Sequence, residues 1–139
     1  MADSKAVDAV RSAVAAFNDG DVDGYLRYFD PSSRRWVAGL VQPLTLAEIS
    51  DNLRQLQGAF EGLHLHEVLL FGDERFACAR WRMRGVHTSD YLDLAPTKRP
   101  IDVETCEIYE LDSDVVVTTW TYGDLGHLFG QLAAEPNAT

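Results

Sequence analysis

The stretch Arg75-Phe76-Ala77-Cys78-Ala79-Arg80-Trp81-Arg82-Met83-Arg84-Gly85-Val86 decides how this chain is built. From Ala77 to Arg84 it alternates: Ala77, Ala79, Trp81 and Met83 fall on one side of an extended strand, and Arg80, Arg82 and Arg84 on the other. The apolar side must therefore face a core, on the concave side of a sheet covered by other elements. Continuing the same parity brings His87 inward at the rim.

Working outward, three more segments carry a strand signature. Leu63–Phe71, Ile101–Leu111 and Val115–Tyr122 are rich in Val, Trp, Tyr and Thr, and Gly-Asp, Pro and Asp-Ser-Asp turns separate them. Trp36 to Val41 reads as a further short strand. The N-terminal part has the helical period instead. Ala6, Val7, Val10, Ala13, Val14 and Phe17 form one stripe of a helix that begins at Asp3 or Ser4 and stops at Asn18-Asp19-Gly20. Val22, Tyr25, Leu26 and Phe29 share a face of a second helix, stopped at Asp30-Pro31 because the residue before proline is pushed out of the helical region. Thr45-Leu46-Ala47-Glu48 is a capping box that opens a third, running to about Gly58. A last helix is predicted over Leu125–Ala133. Helices first and strands after predict an α+β fold, a cone-shaped curved antiparallel sheet with the N-terminal helices packed on its concave face. A single domain over residues 1–139 is expected, with about the last ten residues frayed.

Composition narrows the function. The 139 residues are 46% hydrophobic and 24% charged, enough to bury a real core. A formal charge of −10 and a pI near 4.6 repel phosphate backbones and anionic lipid, so nucleic acid and membrane are not expected partners. Arg34-Arg35 and the Arg80, Arg82, Arg84 set read as solvated strand faces. Cys78 and Cys106 form no CxxC, and no His pair has metal spacing, so neither a disulfide framework nor a metal site is expected. No apolar leader follows Met1 and no run of eighteen apolar residues occurs, so a cytoplasmic location is expected.

Strand parity also nominates a site. A three-residue hairpin loop at Asp112-Ser113-Asp114 would set Leu111 against Val115, Tyr109 against Val117, Glu107 against Thr119 and Thr105 against Thr121. Glu107, Thr119 and Thr121 then share a face. Trp36, Trp81, Met83 and Tyr109, with Tyr25 and Phe29 from the helices, would line an aromatic cavity with a few polar groups, the usual make-up of a small-molecule site. The same residues also suit a plain core. Inside such a cone Glu107 loses solvation, which makes it a stronger base, in the range where general acid–base chemistry works near neutral pH. A slip of one residue in the hairpin would turn it outward instead. His87 is either a rim donor or a satisfied core histidine.

Ala16-Phe17-Asn18-Asp19-Gly20-Asp21, Gly85-Val86-His87-Thr88, Ala95-Pro96-Thr97-Lys98-Arg99, Glu107-Ile108-Tyr109 and the stretch from Trp120 to Leu132 stand in a recognisable order. Together they resemble the SnoaL-like polyketide cyclases, of the nuclear-transport-factor-2-like superfamily, over nearly the whole chain. There are departures. Ser89 replaces a family Gly, Lys98 follows Thr97 without the usual Gly, and Asp112-Ser113-Asp114 replaces Asp-Gly-Lys. Thr121 stands where the family has its acid/base Asp, Asp124 matches the second Asp, and Glu107 stands where the cyclases place a His.

The resemblance turns Glu107 inward and implies an enzyme that closes a ring in a polyketide intermediate without metal or organic cofactor, by aldol-type or other cyclisation. Glu107 would be the base, His87 or Tyr109 a donor to the developing oxyanion, and Thr121 a hydrogen-bonding substitute for the Asp. Tyr25, Phe29, Trp36, Trp81, Met83, Tyr109 and Thr119 would bind substrate. The alternatives are an epoxide hydrolase or hydroxylase on the same fold, or a non-catalytic ligand-binding domain. A homodimer is expected through the open sheet face, where Phe76, Cys78, Cys106, Ile108 and Trp120 form an apolar set among arginines.

Overall fold

The computed structural model describes residues 4–123 and 125–133. Helix α1 (Lys5–Asn18) starts where the Ser4 hydroxyl accepts a hydrogen bond from the Val7 N–H, 3.2 Å away. Its buried residues are Ala6, Val7, Val10, Ala13, Val14 and Phe17, the stripe read from the sequence. Gly20, at a φ of 82°, turns the chain away, and the Asp21 carboxylate caps α2 (Val22–Leu26) through the Gly24 N–H at 2.8 Å.

The chain after α2 departs from expectation. Phe29 is not helical, and strand β1 runs Phe29–Val37 straight through Pro31, while residues 38–41 are turn and loop. Proline is tolerated because the ladder is interrupted there: β1 pairs with its neighbours at Phe29 and again from Arg34, so no partner needs the missing N–H. The short β2 (Leu44–Thr45) follows. Helix α3 (Leu46–Ala59) opens on the predicted capping box, Glu48 N–H to Thr45 Oγ1 at 3.2 Å and Thr45 N–H to Glu48 Oε1 at 3.0 Å.

Strands β3 (Phe60–Gly72), β4 (Phe76–His87), β5 (Pro100–Asp112) and β6 (Val115–Gly123) form an antiparallel meander, and α4 (Leu125–Ala133) ends the described chain. The six-stranded sheet has the order β2-β1-β6-β5-β4-β3. It is curved and unclosed. The sheet is mixed, not antiparallel throughout, because the meander returns to lay β6 parallel beside β1. Register shifts in β3 between Glu61 and His64, with Gly62 at a φ of 68°, and between Glu67 and Leu69 bend the edge strand over the core. The concave face carries Ala77, Ala79, Trp81, Ile101, Val103, Tyr109, Leu111 and Val116, and the α1 stripe and α3 close over it in one buried cluster.

Two side-chain amides lock helices onto strand backbone. Asn18 donates to the Leu65 carbonyl at 3.0 Å and accepts from its N–H at 2.8 Å, and Gln131 makes the same pair of 2.8 Å bonds with Asp102. Each occupies both backbone groups of a strand residue, as a neighbouring strand would.

The β5–β6 hairpin corrects the predicted register. Ser113 and Asp114, at φ 52° and 69°, form a two-residue loop, so Asp112 pairs with Val115. That is a slip of one. A bulge between Glu110 and Leu111 slips it once more, and Glu107 ends opposite Thr121, with Tyr109 opposite Thr119. Two slips restore the original parity. The frayed C-terminus expected from the sequence and the match at Asp124 lie outside the described residues.

Replacing Asn18 with Ala strands the Leu65 N–H and C=O, which should lower stability by about 1–3 kcal/mol. Thermal melting reads that as a fall of about 3–4 °C per kcal/mol for a chain of this size; an unchanged melting temperature would contradict the clamp.

Candidate active site

Two adjacent rows of inward-facing residues cross the sheet. One runs Arg35, Thr119, Tyr109, Ala77 on β1, β6, β5 and β4; the next runs Val37, Thr121, Glu107, Ala79. The alanines of β4 leave room above them for the larger side chains of β5. Glu107, only 6% exposed, accepts from the Tyr109 hydroxyl at 2.7 Å and from the Thr121 hydroxyl at 3.0 Å, one on each carboxylate oxygen.

Arg35 is the residue that sequence reasoning missed. It is also 6% exposed, not solvated, and its Nη2 donates to the Tyr25 hydroxyl at 2.6 Å. Its guanidinium carbon lies 5.8 Å from the Phe29 ring centre and 6.0 Å from that of Tyr25. Tyr25, Glu107 and Tyr109 all act electrostatically on Arg35, so a guanidinium, two phenols and a carboxylate share one region of the interior. The signal lay in parity. A strand starting at Phe29 puts Phe29, Ser33 and Arg35 inward, but Asp30-Pro31 read as a stop hid that start.

Both phenols are held neutral. Burial pushes Tyr109 well above ordinary tyrosine, and the negative charge of Glu107 pushes it further. Burial raises Tyr25 as well, partly opposed by the Arg35 cation and reinforced by Glu107. For Arg35, burial works against the charge, but the oxygens of Tyr25, Glu107 and Tyr109 outweigh it, and the guanidinium is held more firmly protonated than usual. The cluster therefore offers a cation, two neutral hydrogen-bond donors and a carboxylate in a desolvated space, where each interaction is stronger than in water.

The other nominated residues divide. Tyr25, Phe29, Trp81, Tyr109 and Thr119 are buried on the concave side, and the Tyr25 and Phe29 ring centres are 4.8 Å apart; Met83 is half-buried against the same core. Trp36 does not belong with them. It is 44% exposed on the convex face, because parity along β1 that turns Arg35 in must turn Trp36 out.

His87 is buried but distant. It stands eight residues along β4 from Ala79, the partner of Glu107, a path of about 26 Å at the usual strand rise. Its Nδ1 accepts from the Thr97 N–H at 3.1 Å and lies 3.0 Å from the Thr97 hydroxyl, and its ring packs 5.2 Å from that of Phe60. This pins the loop after β4. It does not reach the carboxylate.

Comparison with known proteins agrees with this architecture. The sequence profile of the SnoaL-like polyketide cyclase family matches residues 7–132. The chain belongs to the SnoaL-like polyketide cyclase family. Solved structures share the fold at low identity. AclR of Streptomyces galilaeus, to which a hydroxylase function is ascribed, superposes with a TM-score of 0.85 at 18% identity, over 94% of this chain and 97% of its own. IdmH of Streptomyces antibioticus, ascribed as a polyketide cyclase, gives 0.80 at 19% identity, over 93% and 99%. A LEH-like epoxide hydrolase of M. tuberculosis gives 0.71 at 16% identity, over 92% and 89%. No protein of curated function matches the sequence. No described helix is long and apolar enough to cross a membrane.

The family signature turns out to be mostly scaffold. Asn18 clamps β3, Gly20 makes the turn, Asp21 caps α2, Thr97 engages His87, and Gln131 clamps β5. The buried polar cluster of Glu107, Thr121 and Arg35 lies apart from those scaffold residues.

The phenols yield a prediction. Because folding raises Tyr25, Tyr91 and Tyr109 above the ordinary tyrosine value of 10.0, the stability they contribute is whole below about pH 10 and is lost as the pH climbs through their folded values. In an alkaline titration followed by tyrosinate absorbance, a late component should appear together with loss of near-ultraviolet circular dichroism, and Tyr109→Phe should shrink it. A titration complete by pH 10 in folded protein would contradict this.

Proposed function

We propose that this SnoaL-like protein is a cyclase of polyketide-type ketones, working without metal or organic cofactor, in which Glu107 removes a proton alpha to a carbonyl. The observation that supports it is the enclosed carboxylate itself. Glu107 is aimed at the concave side and braced by Tyr109 and Thr121, which fix its orientation. The enolate formed would attack a second carbonyl of the same molecule, and the abstracted proton would return from Glu107 to the new alkoxide, so atoms balance without a redox partner. Thr121 supplies a hydrogen bond where the family resemblance implies an Asp, which leaves Glu107 as the proton acceptor of the described cluster. Tyr25, Phe29, Trp81, Met83, Tyr109 and Thr119 would hold the substrate chain, and His87 serves the loop instead of the reaction.

Proton abstraction is measurable before the product is known. With α-tetralone in deuterated buffer, the wild type should accelerate exchange of the alpha protons, and Glu107→Gln should lower that rate by about a hundred- to ten-thousand-fold with little change in folding. Exchange equal in the two proteins would overturn the base assignment. Opening of an aryl epoxide with solvent oxygen incorporated, and no proton exchange, would instead favour the hydrolase chemistry of the LEH-like relative. Binding with neither activity would mark a non-catalytic domain.

We also propose that the protein pairs with a second copy through its convex face. One row, Trp36, Trp120, Ile108, Cys78 and Phe71, crosses five strands in register on that side. It borders an apolar cleft of about 420 Å³ lined in part by Phe71, Phe76, Cys78 and Ile108. The neighbouring arginines are already neutralised, Arg80 by Glu104 at 2.8 Å and Arg82 by Asp102 at 2.6 Å, so two such faces meet without strong repulsion despite the acidic chain. Light scattering at tens of micromolar should show a dimer that Trp120→Lys dissociates. A 15.5 kDa species in the wild type would overturn the proposal.

A further inference from the structure

We infer that Arg35 is the oxyanion-binding residue of the site, and that its substrates are compounds whose reacting oxygen carries negative charge beside a planar unsaturated system, as an enolate or phenolate does. This deepens the cyclase proposal and rests on it for the role of Glu107.

The argument begins with charge placement. Arg35 and Glu107 are the buried charged side chains among the described residues. A buried cation and anion normally collapse into a direct pair, because each alone costs several kcal/mol of lost hydration. Here they make no direct contact. Arg35 spends its Nη2 on Tyr25, Glu107 takes Tyr109 and Thr121, and the phenols stand between. Such a separation leaves opposite charges facing one interior, an arrangement suited to a molecule that gives up a proton at one end and gains negative charge at the other.

Unspent donors point the same way. Arg35 Nε is buried with no hydrogen-bond partner among the described residues, and so is the Ser33 hydroxyl, two residues earlier on the same face of β1. A buried donor left unpaired costs about 1–3 kcal/mol, more for a charged group, which a ligand oxygen would recover. The guanidinium is also held in place before any ligand arrives, by the rings of Phe29 and Tyr25 and the Tyr25 hydroxyl. Preorganisation of this kind is what makes a donor favour the anion formed during reaction over the neutral ketone.

The probe is 6-cyano-2-naphthol, a planar phenol whose neutral and ionised forms absorb at different wavelengths and which needs no base to report. Bound to wild type, its ionisation should shift at least tenfold toward the anion relative to the free compound. The titratable groups acting on Arg35 are Tyr25, Glu107 and Tyr109. Arg35→Gln should abolish the shift, Arg35→Lys should keep most of it, and Glu107→Gln should keep or enlarge it while losing alpha-proton exchange. A neutral bound naphthol in wild type, or an unchanged shift in Arg35→Gln, overturns the assignment. If Arg35→Gln fails to fold, wild type and Arg35→Lys still decide: an anion preference in both supports it, and a neutral probe in either overturns it. Loss of the base reading alone would show as normal exchange in Glu107→Gln with the naphthol shift intact.

Discussion

Everything in this molecule follows from covering the concave face of one curved sheet. Alternate residues of β4, β5 and β6 present an apolar surface, and a single helical stripe of Ala and Val side chains ending in Phe17 on α1 matches it. Burying that surface is the dominant favourable term, at roughly 25 cal/mol per Å². It does not by itself say where the helix must sit, since hydrophobic contact is non-directional. Direction comes from Asn18 for α1 and from Gln131 for α4, whose amides bond strand backbone as another strand would.

Those clamps explain why the signature of the family reads as it does. Its most recognisable residues satisfy backbone, cap a helix or hold a loop, and they say where the chain turns more than what it catalyses. The interior polar positions are where the proposed chemistry would lie. In this chain they combine a carboxylate, a hydroxyl and a guanidinium on three different strands, and the relatives that share the fold are ascribed a cyclase, a hydroxylase and an epoxide hydrolase. One scaffold with exchangeable interior groups is consistent with that spread.

Burying Arg35 and Glu107 without pairing them is costly, and the structure offsets it locally. Aromatic faces flank the cation, two hydroxyls serve the anion, and a neutral phenol is bonded to each ion. Replacing any one of these groups should disturb the others, as expected of a connected polar network in a low-dielectric interior. The arginines of β4 show the contrast. On the convex face their ion pairs with Asp102 and Glu104 are exposed to water and contribute little to stability.

The sequence by itself determined α1, α3, α4, the start of α2, the four long strands and the inward face of β4, because periods of 3.6 and 2 are local and the apolar residues follow them closely. It also placed Glu107 beside Thr121 and Thr119, although by a register two residues off. The hairpin loop and the bulge each moved the pairing by one, and since side chains alternate with period two, the errors cancelled in face while shifting the partners. Trp36 and Arg35 had no such protection. Their faces depend on where β1 begins, and that was decided by pairing with β6, a strand about eighty-five residues later that arrives parallel. His87 likewise had the right parity and the wrong address, since parity fixes a side of the sheet and only the length of β4 fixes the distance from Glu107. Tertiary structure alone chose which arginine to bury, because the contacts that repay its lost hydration come from α2, β1 and β5 together.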